Sequence, residues 1–287
     1  MTGASGMVGF GLSRYFSGRG HEVVPAYNGN EIQGGVKLDI TDERQVEQVM
    51  REIKPDWVFH CAAMTDVDEC ERDLDGAMAV NANATGMFAG AAKKHGAKMV
   101  YVSTSFVFGD SKEALLEDAP AEPLNNYGRS KLIGERKIAE SGVKHIIVRI
   151  DQPYGWVEPG QKQNMVTGTL RKLEAEKPFK VVEDWFNCPT YMDNFYDALY
   201  ILVEKNALGT YNCTGKTRLS RFEWAKKIAA EFGLDGALIK PVKSEELRLP
   251  AKRPDVLLDT RKIEKITGVE IIGVDVGLKK MKESKNA

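Results

Sequence analysis

A doubly wound parallel α/β sheet with a smaller C-terminal lobe is the fold the sequence predicts, and three observations carry it. The chain opens on a glycine-rich turn, Gly3-Ala4-Ser5-Gly6-Met7-Val8-Gly9, that runs into a helical apolar pattern through Leu12, Tyr15 and Phe16. Short apolar strands then alternate with helical segments as far as residue 150, as expected of parallel strands joined by helical crossovers. Beyond 150 the alternation stops, and a Pro- and Gly-rich stretch (151–160) leads into shorter mixed elements. That change divides the chain into a dinucleotide-binding domain over 1–150 and a mainly substrate-binding lobe over 151–287, parts of which pack back on the first domain.

The G-x-x-G-x-x-G spacing suits a strand-to-helix turn. Its first glycines let backbone approach a pyrophosphate, and the helix N-terminus that follows offers free N–H groups to phosphate. Such a turn should follow a buried strand of about five residues, and only Met1 precedes it here. The expectation is therefore that the first strand is missing, that the native chain begins upstream, and that the sheet has a gap at its middle. His21 to Tyr27 reads as the second strand, followed by Asn28 where an acid would clasp ribose hydroxyls. Val36 to Asp39 is a short strand ending in an acid, then a helix capped by Thr41 or Asp42. Trp57 to Ala63 is an apolar run suited to a fully buried strand, with Ala62 and Ala63 small enough for a ligand to lie on backbone. A long helical segment from Leu74 to His95 contains Asn81, which on residues alone is a solvated helix polar group. Lys98 to Ser103 is the next strand and runs into Thr104-Ser105-Phe106, hydroxyls at a strand's carboxyl end where open sheets bind ligands. A loop leads to the helix bearing Tyr127 and Lys131, and His145 to Ile150 closes the alternation. After it come helices at 165–175, 193–204 and 221–232, strands at 209–213 and 238–242, and two short C-terminal helices.

Composition excludes several classes of function. Over 287 residues, apolar residues make up 43% and charged residues 28%, and the net charge is -1. That balance is ordinary for a globular protein and does not suit a nucleic-acid surface or a polybasic membrane patch. No apolar run reaches the length of a membrane span. The four cysteines, Cys61, Cys70, Cys188 and Cys213, show neither Cys-x-x-Cys spacing nor a His ligand pattern. They read as free buried thiols in a reducing cytoplasm, with no metal site expected.

Tyr127 and Lys131 stand four residues apart, on one face of a helix. An ammonium held near a phenol favours the phenolate, and a Tyr so tuned exchanges a proton with a hydroxyl at a reacting carbon. One such spacing is expected by chance in a chain with this many Tyr and Lys. It gains meaning from the glycine turn and the Thr104 hydroxyl upstream of it.

Taken together, Gly3-x-x-Gly6-x-x-Gly9, Thr104 before Val107-Phe108-Gly109, and Tyr127-x-x-x-Lys131 resemble the motifs of the extended short-chain dehydrogenase/reductase family. Within it the chain is similar to the dTDP-4-dehydrorhamnose reductases and the related methionine adenosyltransferase beta subunits. The likeness continues through Leu38-Asp39, Cys61-Ala62-Ala63-Met64-Thr65, Pro189-Thr190-Tyr191 and Lys252-Arg253-Pro254, nearly the whole chain. The resemblance implies an NADP cofactor, with NAD as the alternative. Gly3, Gly6, Met7, Val8 and Gly9 would hold the pyrophosphate, Asp39 and Ile40 flank adenine, and Ala62, Ala63 and Thr65 line the ribose path. Asn28 would stand at the adenosine ribose and Asn81 near the nicotinamide. Thr104 would bond a substrate carbonyl, Tyr127 act as acid or base, and Lys131 bind ribose and tune Tyr127. Ser105, Phe106, Gln152 and Arg253 would face the substrate.

Two departures bear on the substrate. Ser105 and Phe106 stand where those reductases carry Asp-Tyr, and Asp151-Gln152 replace an aromatic residue after the strand at Arg149. The implied activity is reduction of a keto group on a nucleotide-activated sugar. An epimerase with bound NAD and a non-catalytic NADP-binding regulatory subunit are the alternatives, and a 4,6-dehydratase is disfavoured because no acid adjoins Thr104. The oligomeric state stays open, a homodimer included.

Overall fold

The computed structural model describes residues 1–285; the last two residues of the expected second lobe lie outside them. The elements, in order, begin with α1 (Met7–Ser17), β1 (Ala26–Tyr27), β2 (Val36–Lys37), α2 (Glu43–Ile53) and β3 (Trp57–His60). Helices α3 (Val67–Arg72) and α4 (Leu74–Ala77) follow, and a π-helical turn (Met78–Asn83) leads into α5 (Ala84–His95). Then come β4 (Lys98–Thr104), β5 (Ala114–Leu115), α6 (Asn126–Ser141) and β6 (His145–Ile150). The second half holds α7 (Met165–Glu174), β7 (Phe179–Val182), β8 (Phe186–Asn187), α8 (Met192–Glu204), β9 (Gly209–Asn212) and β10 (Leu219–Ser220). It ends with α9 (Arg221–Phe232), β11 (Ile239–Val242), β12 (Leu257–Leu258), α10 (Arg261–Thr267) and α11 (Val274–Ser284).

The main sheet is parallel in the order β3-β4-β6-β9. Its strands are apolar throughout because both faces are covered, and alternate residues divide between two cores. Val100 of β4 and Ile146, Val148 and Ile150 of β6 pack with Leu12, Phe16, Phe195 and Leu199. Met99, Tyr101 and Ile147 point the other way, against Phe88 and Ile138. Helices α1 and α8 thus cover one face, and α5 and α6 the other. The chain beyond 150 returns to this sheet through β9 and α8, then builds a smaller core around Tyr154, Trp224 and Leu278.

Most elements end where local chemistry ends them. Asp42 caps α2 by accepting from Arg44 N and Gln45 N, and Asn125 caps α6 by accepting from Gly128 N. The second strand is shorter than expected and keeps only Ala26 and Tyr27. Its ladder explains this. Ala26 N donates to Met1 O (2.7 Å) and the Met1 amino group to Val24 O (2.9 Å), and His21 to Val23 meet no extended neighbour on that side among the described residues. On the other side Thr2 N donates to Phe59 O (2.9 Å). Met1 and Thr2, with Ala4 N donating to Ala26 O (3.3 Å), therefore bridge β1 and β3, beside a groove of about 570 Å³ lined by Val23, Val24, Trp57 and Val58.

His60, at the end of β3, is 0% exposed, stacked on Tyr101 with Nδ1 3.0 Å from Thr2 Oγ1. Burial pushes the imidazole down to about 3, helped by the Lys131 charge. The unfolded chain therefore binds a proton that the folded chain refuses. Stability is complete above pH 6.5 and falls towards pH 3 by up to about 1.4 kcal/mol per unit. Urea unfolding at pH 8 and pH 5 should show a smaller loss for His60→Phe than for the wild type; equal losses would contradict this.

Candidate functional site

A cleft of about 1030 Å³ lies along the carboxyl edge of the sheet, between it and the segments at 150–153, 162–165, Trp185, Arg221 and Arg253. Its floor at one end is the glycine turn. Gly3 has φ +64°, and a Cβ there would lie 2.6 Å from Ala62 N, so the turn and the end of β3 touch backbone to backbone. Helix α1 starts at Gly6 with no side-chain cap. The N–H groups of its first turn stay available to an anion in the cleft, where the helix dipole favours one. Asp39 Oδ1 accepts from Thr41 N (2.9 Å) and Thr41 Oγ1 (2.7 Å), which fixes the loop after β2 beside Ile40 and the exposed Asn28. These residues fit a dinucleotide: an uncapped, glycine-lined helix start for pyrophosphate and a half-apolar wall for adenine.

At mid-cleft, β4 ends in Thr104 and α6 begins with Tyr127. The two are drawn together because α6 packs on the turn after β4 at Gly128, where a Cβ would sit 2.0 Å from Phe106 O. Phe106 and Tyr127 meet edge to face at 5.9 Å. Thr104 Oγ1 accepts from Phe106 N (3.2 Å), which leaves its own proton free to donate. Burial pushes the Tyr127 phenol well above its usual range, the nearby Thr104 hydroxyl pulling the other way and the Asp151 charge adding to the rise. Tyr127 is therefore a neutral proton donor.

Lys131 Nζ donates to Val102 O (2.8 Å) and lies 3.9 Å above the Tyr101 ring, turned towards β4. Burial lowers the amine to about 7, against the pull of Glu135 one turn further along α6. Glu135 itself is held by Arg149 Nε (3.0 Å) and Nη2 (2.7 Å) and by Ser103 Oγ (2.6 Å), all buried beneath the site.

The other end of the cleft is built by the second half of the chain. Arg221 lies 3.9 Å and Arg253 4.8 Å from the Trp185 ring centre. Arg221 Nη2 donates to Gln152 Oε1 (2.7 Å), and Arg253 Nη1 donates to Asp68 Oδ1 (2.6 Å). Arg253 holds the Asp68 carboxyl below the usual range, and burial brings Arg221 down to about 10.

Of the residues expected at the site, Gly3, Gly6, Met7, Val8, Gly9, Asn28, Asp39, Ile40, Ala62, Ala63, Thr65, Thr104, Phe106, Tyr127, Lys131, Gln152 and Arg253 line this one cleft. Asn81 and Ser105 do not. Asn81, in the π-helical turn, accepts from Met64 N (2.8 Å) and donates to Met64 O and Ser130 Oγ (3.0 Å each). It braces the segment after β3 against α6. Ser105 is buried behind Thr104 with its Oγ unpartnered. Asp151, Trp185 and Arg221 also line the cleft, and no motif or spacing in the chain marks any of them as a site residue. The four cysteines are free, and all but Cys61 are buried.

The family model described as RmlD substrate binding domain matches residues 1–285. The dTDP-4-dehydrorhamnose reductase of Burkholderia thailandensis is 30% identical, over 94% of this chain and 93% of that protein. The methionine adenosyltransferase 2 subunit beta of Pongo abelii is 29% identical, over 92% of this chain and 80% of that one. Among solved structures, the dTDP-4-dehydrorhamnose reductase of Bacillus anthracis in complex with NADP superposes with a TM-score of 0.90 at 31% identity. That match covers 99% of this chain and 97% of the other.

Proposed function

Because the chain belongs to the RmlD substrate binding domain family, we propose that it is an NAD(P)H-dependent reductase acting on a keto group of a nucleotide-activated sugar, of the dTDP-4-dehydrorhamnose kind. The observation that supports this most is the meeting of Thr104, Tyr127 and Lys131 in a cleft whose far end is an uncapped, glycine-lined helix start. In this reading residues 1–150 form the cofactor domain and 151–287 mainly the substrate lobe.

Gly3, Gly6 and the N–H groups of Met7, Val8 and Gly9 would hold the cofactor's pyrophosphate, with Asp39 and Ile40 at adenine and Lys131 at the nicotinamide ribose. When bound, the nicotinamide supplies hydride to the keto carbon. The protein's part is polar. Thr104 donates a hydrogen bond to the carbonyl oxygen and keeps its proton, and Tyr127, kept neutral by burial, delivers the one proton to that oxygen as it becomes an alkoxide. Arg221 and Arg253 at the outer end suit a substrate that carries phosphates. The similarity to a methionine adenosyltransferase subunit favours a binding-only rival. Against it stand all three reacting groups, together in one cleft.

Mixing the protein with NADPH and a panel of 4-keto nucleotide sugars tests the reading by loss of reduced-cofactor absorbance. NADPH should serve at least as well as NADH, because Asn28 puts no carboxylate where a 2′-phosphate would lie. A titration in which NADH binds tenfold tighter, about 1.4 kcal/mol, would contradict that preference. A cytoplasmic setting, in keeping with four free thiols, belongs to this reading, and so does a homodimer, which sedimentation would test.

A further inference from the structure

Thr104 of β4 and Ile150 of β6 are register partners, so Ser105 and Asp151 leave the parallel sheet side by side at its carboxyl edge. Asp151 is 3% exposed yet lines the cleft. Its Oδ2 accepts from Cys188 N (2.7 Å), while Oδ1 makes no hydrogen bond among the described residues. Burial pushes the Asp151 carboxyl above its usual range, while the Cys188 N–H, the Ser105 hydroxyl, the Arg221 charge and the Asn187 amide pull the other way; Ser105 Oγ and Asn187 Nδ2 have no other partner. The next residue is strained: Gln152 has φ +36° and is pinned there by Arg221. Backbone held in that region is over-determined by its surroundings and gathers at ligand sites.

A buried carboxylate on the cleft wall, with one oxygen outside the bond to Cys188 N, has acceptor capacity left for a ligand that donates. Arg221 lies close enough to balance its charge, so a neutral hydroxyl suits it better than an ammonium. Asp151 follows Ile150, the register partner of Thr104, which sets it one residue beyond the strand position level with the hydroxyl that would hold the keto oxygen. We propose that Asp151 is a specificity-determining residue that accepts a hydrogen bond from the sugar hydroxyl on the carbon next to the keto group, with Ser105 and Asn187 positioning its carboxylate. This rests on the reductase reading and narrows it to substrates with a free vicinal hydroxyl.

The test compares two 4-keto nucleotide sugars, one bearing the vicinal hydroxyl and one with hydrogen in its place, through kcat/KM with NADPH. Asp151→Asn keeps an oxygen for Cys188 N and puts an N–H where the free acceptor stood. It should lose roughly 10–100-fold on the hydroxylated substrate and less than about threefold on the deoxy one. Ser105→Ala removes one hydroxyl that stands beside the carboxylate and little volume, so it should fold and show the same selective loss on a smaller scale, which keeps the test open if Asp151→Asn does not fold. Equal losses on both substrates for either variant would overturn the assignment while leaving the reductase reading intact. No turnover of either sugar by the wild type would overturn both.

Discussion

Replacing Tyr127 with Phe should lower turnover by roughly 10²–10⁴-fold, the range for a lost general acid, with cofactor affinity nearly unchanged. The substitution deletes one hydroxyl and little volume. The ring keeps its edge-to-face contact with Phe106, and Lys131 keeps its bond to Val102 O, because neither involves the phenolic oxygen. Thr104 retains its own proton to donate, so carbonyl binding should weaken less than turnover. Steady-state kinetics beside a fluorescence titration of NADPH separate the two effects. A drop in cofactor affinity matching the drop in kcat would show that the hydroxyl holds the cofactor and is not the proton donor.

The largest expected effect on stability lies beneath the same site. Arg149 and Glu135 face each other with side chains 7% exposed, two nitrogens on two oxygens, and Glu135 also accepts from Ser103. Arg149→Met should cost about 3–5 kcal/mol, because it strands a carboxylate in the core. For a chain of this size that is a fall in Tm of roughly 6–20 °C. The double variant with Glu135→Leu should recover part of the loss, since a buried pair replaced by apolar groups is often close to neutral. Calorimetry decides it. A single variant melting within about 2 °C of the wild type would mean that water or a rearranged partner reaches Glu135.

Much of the cofactor half was legible because its signals are local. The glycine turn is contiguous, Thr104 ends an apolar strand, and Tyr127 and Lys131 are set by helix periodicity alone. The direction of Lys131 was not legible. Spacing put it on the Tyr127 face of α6, but its partners on β4, the carbonyl of Val102 and the face of Tyr101, lie about 30 residues away in sequence. Asn81 looked like an exposed helix polar residue or a cofactor neighbour, yet partners 17 and 49 residues away fix it as a brace. The second strand was overread because an apolar run carries no record of how much neighbouring backbone it will find. The substrate end was hardest. Arg221 meets Trp185 across 36 residues, and Asp151 meets Cys188 across 37. No periodicity links them, and only the pairing of β4 with β6 and the return of the second lobe bring them together.

In the reductase reading, hydride reaches a sugar carbon in this cleft while Tyr127 supplies the proton. Incubating the protein with a 4-keto nucleotide sugar and NADPH carrying deuterium at the transferable position tests it most directly. The expected product carries one deuterium per sugar, at the former keto carbon, with one cofactor oxidised for each. A sugar recovered without deuterium, or an epimerised sugar with the cofactor pool unchanged, would contradict it.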